Sequence, residues 1–76
     1  MKWITNYKHP KNFRFEIVHE VLKSSDGDTL QAYYLYVYDP SGKENEDDFQ
    51  EKLEFSKEVA WEDFGVPLDS WVQVEE

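Results

Sequence analysis

A small α+β fold is what this sequence predicts: an antiparallel sheet of three to four strands with one helix packed on one face, in the order β-β-β-α-β. Three observations point to it. Residues 13–23 and 30–38 alternate in polarity on either side of the turn sequence Ser24-Ser25-Asp26-Gly27-Asp28-Thr29. Apolar residues between Phe49 and Phe64 then recur at helical spacing, and the alternation returns at Ser70-Trp71-Val72-Gln73-Val74.

Lys2 to Tyr7 is a short run with β-formers, read as a first strand, and His9-Pro10-Lys11-Asn12 as the turn after it. In the second strand Phe13, Phe15, Ile17, His19 and Val21 share one face, and Arg14, Glu16, Val18, Glu20 and Leu22 the other. Asp26-Gly27 is a dipeptide preferred where φ must be positive, so the second and third strands form a β-hairpin. Leu30 to Tyr38 is the clearest strand, and Asp39-Pro40-Ser41-Gly42 ends it.

Lys43 to Asp48 reads as a polar, acidic loop. Asp48 with Glu51 three residues on has the spacing of a capping box, which opens a helix over residues 49–64. Phe49, Leu53, Ala60 and Phe64 fall on one face of that helix, with Ser56 among them and Val59 at the edge. Gly65 stands at the position that ends a helix in the left-handed conformation, with Pro67 just beyond. A competing reading makes Leu53 and Phe55 part of a strand and begins a shorter helix at Ser56. The helix ending in Phe64-Gly65-Val66-Pro67, followed by Trp71, resembles the endings of small bacterial proteins; the resemblance covers only about twenty residues, names no family and implies no function.

The 76 residues are expected to form one domain, 1–76. Five Phe, five Tyr and three Trp supply the core that so short a chain otherwise lacks and favour order over an acidic disordered tail. With no cysteine, a disulfide framework, thiolate zinc sites and a Cys nucleophile are excluded. The first residues, MKWITNYKHPKNF, have no apolar signal core, and no run approaches the roughly 20 apolar residues of a membrane span. The expected location is cytoplasmic.

The net charge of −9 is unevenly placed. Residues 1–15 hold Lys2, Lys8, Lys11 and Arg14 and no acid, so all 17 acidic residues lie beyond them. Such an excess repels nucleic acid and anionic lipid and favours basic protein partners, although acidity also serves solubility.

Catalytic signals are absent: no GxSxG, no P-loop and no Gly-rich dinucleotide turn. His9 and His19 lack zinc-ligand spacing, and His19 reads as a strand-face or hydrogen-bonded residue. Asp26-Gly27-Asp28 fails as an EF-hand start because Val37 stands where the twelfth-position Glu belongs. Neither enzyme activity, metal nor cofactor is expected.

Two surfaces remain as partner-binding candidates. One is the face of the third strand formed by Tyr34, Tyr36 and Tyr38. A single helix can cover only one side of the sheet, assigned here to Tyr33, Leu35 and Val37. The tyrosines are then either open to a partner, including a second copy, or covered by loops or the N-terminal strand. The other is the outer face of the helix, with Glu51, Glu54, Glu58 and Glu62 and with Trp61 at its margin. Glu54, Glu58 and Glu62 repel at i,i+4 spacing by roughly 0.2–0.5 kcal/mol per step, a cost that hints at use against a basic partner. Two function classes follow. The first is a non-enzymatic protein-interaction or regulatory module using the aromatic sheet face. The second is an acidic inhibitor or immunity protein, a nucleic-acid mimic of the kind phages use, that blocks the basic cleft of a nuclease or DNA-binding protein.

Overall fold

In the computed structural model, residues 1–74 are described, with the side chains of 45–47 left aside. Along the chain follow β1 (Lys2–Thr5), β2 (Arg14–Lys23), β3 (Thr29–Tyr38), β4 (Glu44–Gln50), α1 (Leu53–Phe64) and β5 (Trp71–Val74). The strands make one antiparallel sheet of five, ordered β4-β3-β2-β1-β5.

The β2–β3 hairpin is the spine, paired over ten positions from Arg14↔Tyr38 to Lys23↔Thr29. Its turn closes through the Ser24 N–H donating to the Asp28 carbonyl at 2.9 Å, with Gly27 at φ 86°. The expected β2 and β3 therefore form as alternation predicts, within a residue at each end.

The acidic stretch is the main departure. Glu44–Gln50 is strand β4 rather than a loop, so the sheet has one more strand than its expected maximum. The cause lies in the turn before it. The Asp39 carboxylate accepts hydrogen bonds from the Ser41 and Lys43 N–H groups, both at 3.0 Å, and the Asp39 N–H donates to the Lys43 carbonyl at 2.9 Å. That geometry folds the chain back on β3 as a second hairpin and lets the backbone of a charged segment pair where its side chains show no strand pattern. Charge on an edge strand also discourages a further strand from adding.

α1 consequently starts at Leu53, not at residue 49. The Asp48–Glu51 capping box does not form: Lys52 precedes the first turn without a side-chain cap, and Glu51 lies outside the helix. Phe49, expected on the packing face, sits in β4 opposite Tyr34 and is 41% exposed. The competing reading also gives way, since Leu53 and Phe55 are both helical. The other end forms as predicted. Gly65 is left-handed at φ 75°, its N–H donating to the Trp61 carbonyl at 2.9 Å, and the Val66 N–H donates to the Ala60 carbonyl at 3.2 Å. These bonds satisfy carbonyls that the last helical turn would leave bare.

The core lies between α1 and one face of the sheet. Trp3, Phe15, Ile17, Leu35, Val37 and Trp71 meet Ala60 and Val66, with Leu53, Val59 and Phe64 packed at the margin. Ser56 and Ala60 are fully buried, and the Ser56 hydroxyl donates to the Tyr33 carbonyl at 3.1 Å. Two small residues on consecutive turns let the helix lie close against the strands.

The molecule measures 44 × 25 × 24 Å with a radius of gyration of 13.0 Å. A compact chain of this length would have a radius of about 11 Å. The excess comes from the hairpin end. β1 pairs β2 only at Glu16–Val18, and β4 stops at Tyr33, so residues 20–31 project as a two-stranded arm, exposed throughout.

Candidate protein interface

The strict alternation of β3 decides the site. Opposite pairs Phe15↔Val37, Ile17↔Leu35 and His19↔Tyr33 lie on the helix side. The pairs one residue along, Arg14↔Tyr38, Glu16↔Tyr36 and Val18↔Tyr34, therefore lie on the other. No element among the described residues packs on that second face: α1 is on the first, and β1 and β5 have joined the sheet as strands. The N-terminal strand does not cover the tyrosines.

Tyr34, Tyr36 and Tyr38 are half-buried and lie in a row. The Tyr34 and Tyr36 rings stack with centroids 6.2 Å apart, and Tyr36 and Tyr38 follow at 6.5 Å. Phe49 meets Tyr34 edge-on at 5.6 Å, so the residue misplaced in the helix belongs to the aromatic face. Leu22 and Leu30, paired in the arm and both exposed, continue the same face outward. The register of the Asp39–Gly42 turn was the signal for Phe49: a hairpin there sets it against Tyr34.

Charge frames the row at one end. Glu16 pairs with Lys2 at 3.6 Å. Partial burial, then the charges of Glu16 and Glu44 and the hydrogen-bonding reach of Glu16, push the Tyr38 phenol above its ordinary pKa, opposed by Arg14.

The second candidate surface is also present in part. Glu54, Glu58 and Glu62 are exposed along α1, and Trp61 is 51% exposed beside a shallow hollow bordered by Pro67, Leu68 and Asp69. Glu51 stands in the turn before α1. Because α1 covers the face opposite the tyrosines, the eight predicted partner-binding residues fall into two groups on opposite sides of the sheet.

Neither histidine gathers other ligands. His19 stacks on Tyr33 at 4.7 Å and hydrogen-bonds Gln31. His9 stacks on Phe13 at 5.0 Å, meets Phe15 and Phe64 edge-on, and accepts the Lys11 N–H on Nδ1 at 3.0 Å. Among the described residues no group of three or more His, Asp or Glu is placed to hold a metal ion, and no helix is long and apolar enough to cross a membrane. No family model, no curated protein and no solved structure matches the chain.

Proposed function

We propose that the protein is a non-enzymatic interaction module that binds protein through the Tyr34/Tyr36/Tyr38 face of its sheet. One observation carries the reading: a row of three half-buried tyrosines, extended by Phe49, on a sheet face that no other element among the described residues covers. Tyrosine suits such a surface because it offers a large apolar body, a hydroxyl for the wet rim and few rotatable bonds to immobilise. A cysteine-free chain of this kind is taken to work in the cytoplasm, with no cofactor and without contacting nucleic acid or membrane directly.

A second reading has its own observation. Glu54, Glu58 and Glu62 are exposed at one-turn intervals of about 6 Å, comparable to phosphate spacing along a strand, which suits an inhibitor that occupies a basic cleft. The two surfaces lie on opposite sides, so mutations separate them. In capture from host lysate at two salt concentrations, Tyr34→Ser with Tyr36→Ser should abolish binding, while Glu54→Gln, Glu58→Gln and Glu62→Gln together leave it within about twofold at either salt concentration. Loss of partners on neutralising the glutamates, with steep salt dependence and indifference to the tyrosines, would replace the first reading with the second.

A further inference from the structure

The face that binds protein under that reading has a chemistry of its own, and we infer that its partner is a second copy of this chain. The two copies pack sheet to sheet about a twofold axis that runs across the strands at the level of the Ile17–Leu35 pair. The inference rests on the tyrosine face being an interface at all.

Charge is the first argument. The chain carries −9 overall, yet across β1 and β2 the open face is balanced, with Lys2 and Arg14 against Glu16 and Glu20. A strongly basic partner would find its attraction on α1, whereas over β1 and β2 a second copy meets as many positive as negative charges, with Glu44 at the margin of the face. The order of the charges is also self-complementary. Arg14 and Glu20 stand three residues on either side of Ile17 on β2, both exposed, and neither is in an ion pair among the described residues. A twofold at Ile17 lays β2 antiparallel over its copy, so Arg14 of each faces Glu20 of the other, twice. It also lays Tyr34 over Tyr36. Packed sheets cross at about 30°, which displaces positions about 10 Å from the axis by about one strand spacing, within reach of an arginine and a glutamate.

Area is the second. The twofold overlaps the strands only from the Arg14–Tyr38 pair to the Glu20–Ala32 pair, about 20 Å, and five strands span at most about 24 Å, so each copy covers no more than about 500 Å² and the pair about 1,000 Å². That is the size of a weak, transient interface, under about 1,200 Å², so the association is reversible. Continuity is the third. The projecting arm carries Leu22 and Leu30 on this face, and a lone two-stranded hairpin is marginal in water. In the twofold arrangement the base of each arm, Glu20 and Ala32, lies over Arg14 and Tyr38 of the other copy, and Leu22 and Leu30 reach past them towards the turn at residues 39–42.

The test is sedimentation of the full chain from micromolar to millimolar concentration, with circular dichroism as a folding control, for wild type, Arg14→Glu, Glu20→Arg and the double reversal. The expected result is a reversible dimer in wild type, weakened at least about tenfold by either single reversal because like charges then meet at two places. The double reversal returns to within about threefold of wild type. A dimer indifferent to the single reversals, or a double reversal no better than the worse single, overturns the twofold. A wild type that stays monomeric overturns the dimer, and capture then tells how far the failure reaches. If Tyr34→Ser with Tyr36→Ser abolishes capture of a host protein, the face is an interface for a different partner; if those tyrosines are without effect, the protein-binding reading falls too.

Discussion

The two faces of the sheet are built from the same strands and end in different states. On the helix side Phe15 is 2% exposed and Ile17, Leu35 and Val37 are 1% or less. One residue along, Tyr34, Tyr36 and Tyr38 remain partly exposed, and Phe49 is 41% exposed. Both faces are aromatic and aliphatic in composition. What separates them is the supply of covering elements: one twelve-residue helix can bury one side of a five-stranded sheet. On β3 residue type distinguishes the faces only finely, by a hydroxyl, while β2 sets Arg14, Glu16 and Glu20 on the open side. Phe and Ile occupy the side that must be dry, and Tyr the side that keeps contact with water.

Truncation breaks that comparison most directly. Phe15→Ala should cost about 3–5 kcal/mol, the range for a buried aromatic, while Tyr34→Ala costs less, about 2 kcal/mol, because its ring is only partly buried. Paired urea unfolding curves give both values. Equal losses would mean that the tyrosine face is as tightly packed as the core.

A smaller effect sharpens the account of how the helix is ended. Gly65→Ala should cost about 1 kcal/mol, from the left-handed backbone that alanine tolerates poorly. The added Cβ would meet only the Tyr7 hydroxyl at 3.5 Å, an ordinary contact. A thermal midpoint unchanged from wild type would show that the helix can end without the left-handed residue.

The smallest effect concerns the open face alone. The Tyr38 phenol is raised by partial burial and then by Glu16 and Glu44, so folding favours its neutral form. The resulting stabilisation is present in full below the unfolded phenol value near 10 and is lost as pH rises through the higher folded value. In an NMR titration the Tyr38 phenol should ionise above its ordinary value, and Glu16→Gln should lower it. A Tyr38 titration unchanged by Glu16→Gln would contradict the influence of Glu16.

Much of this was legible along the chain. Strict alternation in β2 and β3 determined which side chains share a face, because successive residues of a strand point to opposite sides whatever surrounds them. Asp26-Gly27 determined the first hairpin, and Gly65 the end of the helix, because glycine adopts positive φ without the cost other residues meet. The tyrosine row and the exposed glutamates of α1 follow from those local rules.

Tertiary structure alone decided β4. Glu44 to Asp48 has neither alternation nor β-branched residues, and its helical spacing from Phe49 onward was the stronger local signal. The segment is a strand because β3 offered an unpaired row of backbone donors and acceptors beside it, and the Asp39 turn delivered it there. Backbone pairing is indifferent to side chains, so a charged sequence can take an edge position that its composition does not announce. That one event moved the helix start to Leu53, put Phe49 on the open face and left Glu51 outside α1. It also placed the candidate surfaces on opposite sides of the sheet, because which side a helix covers depends on where the chain leaves its last strand, and no local pattern records that.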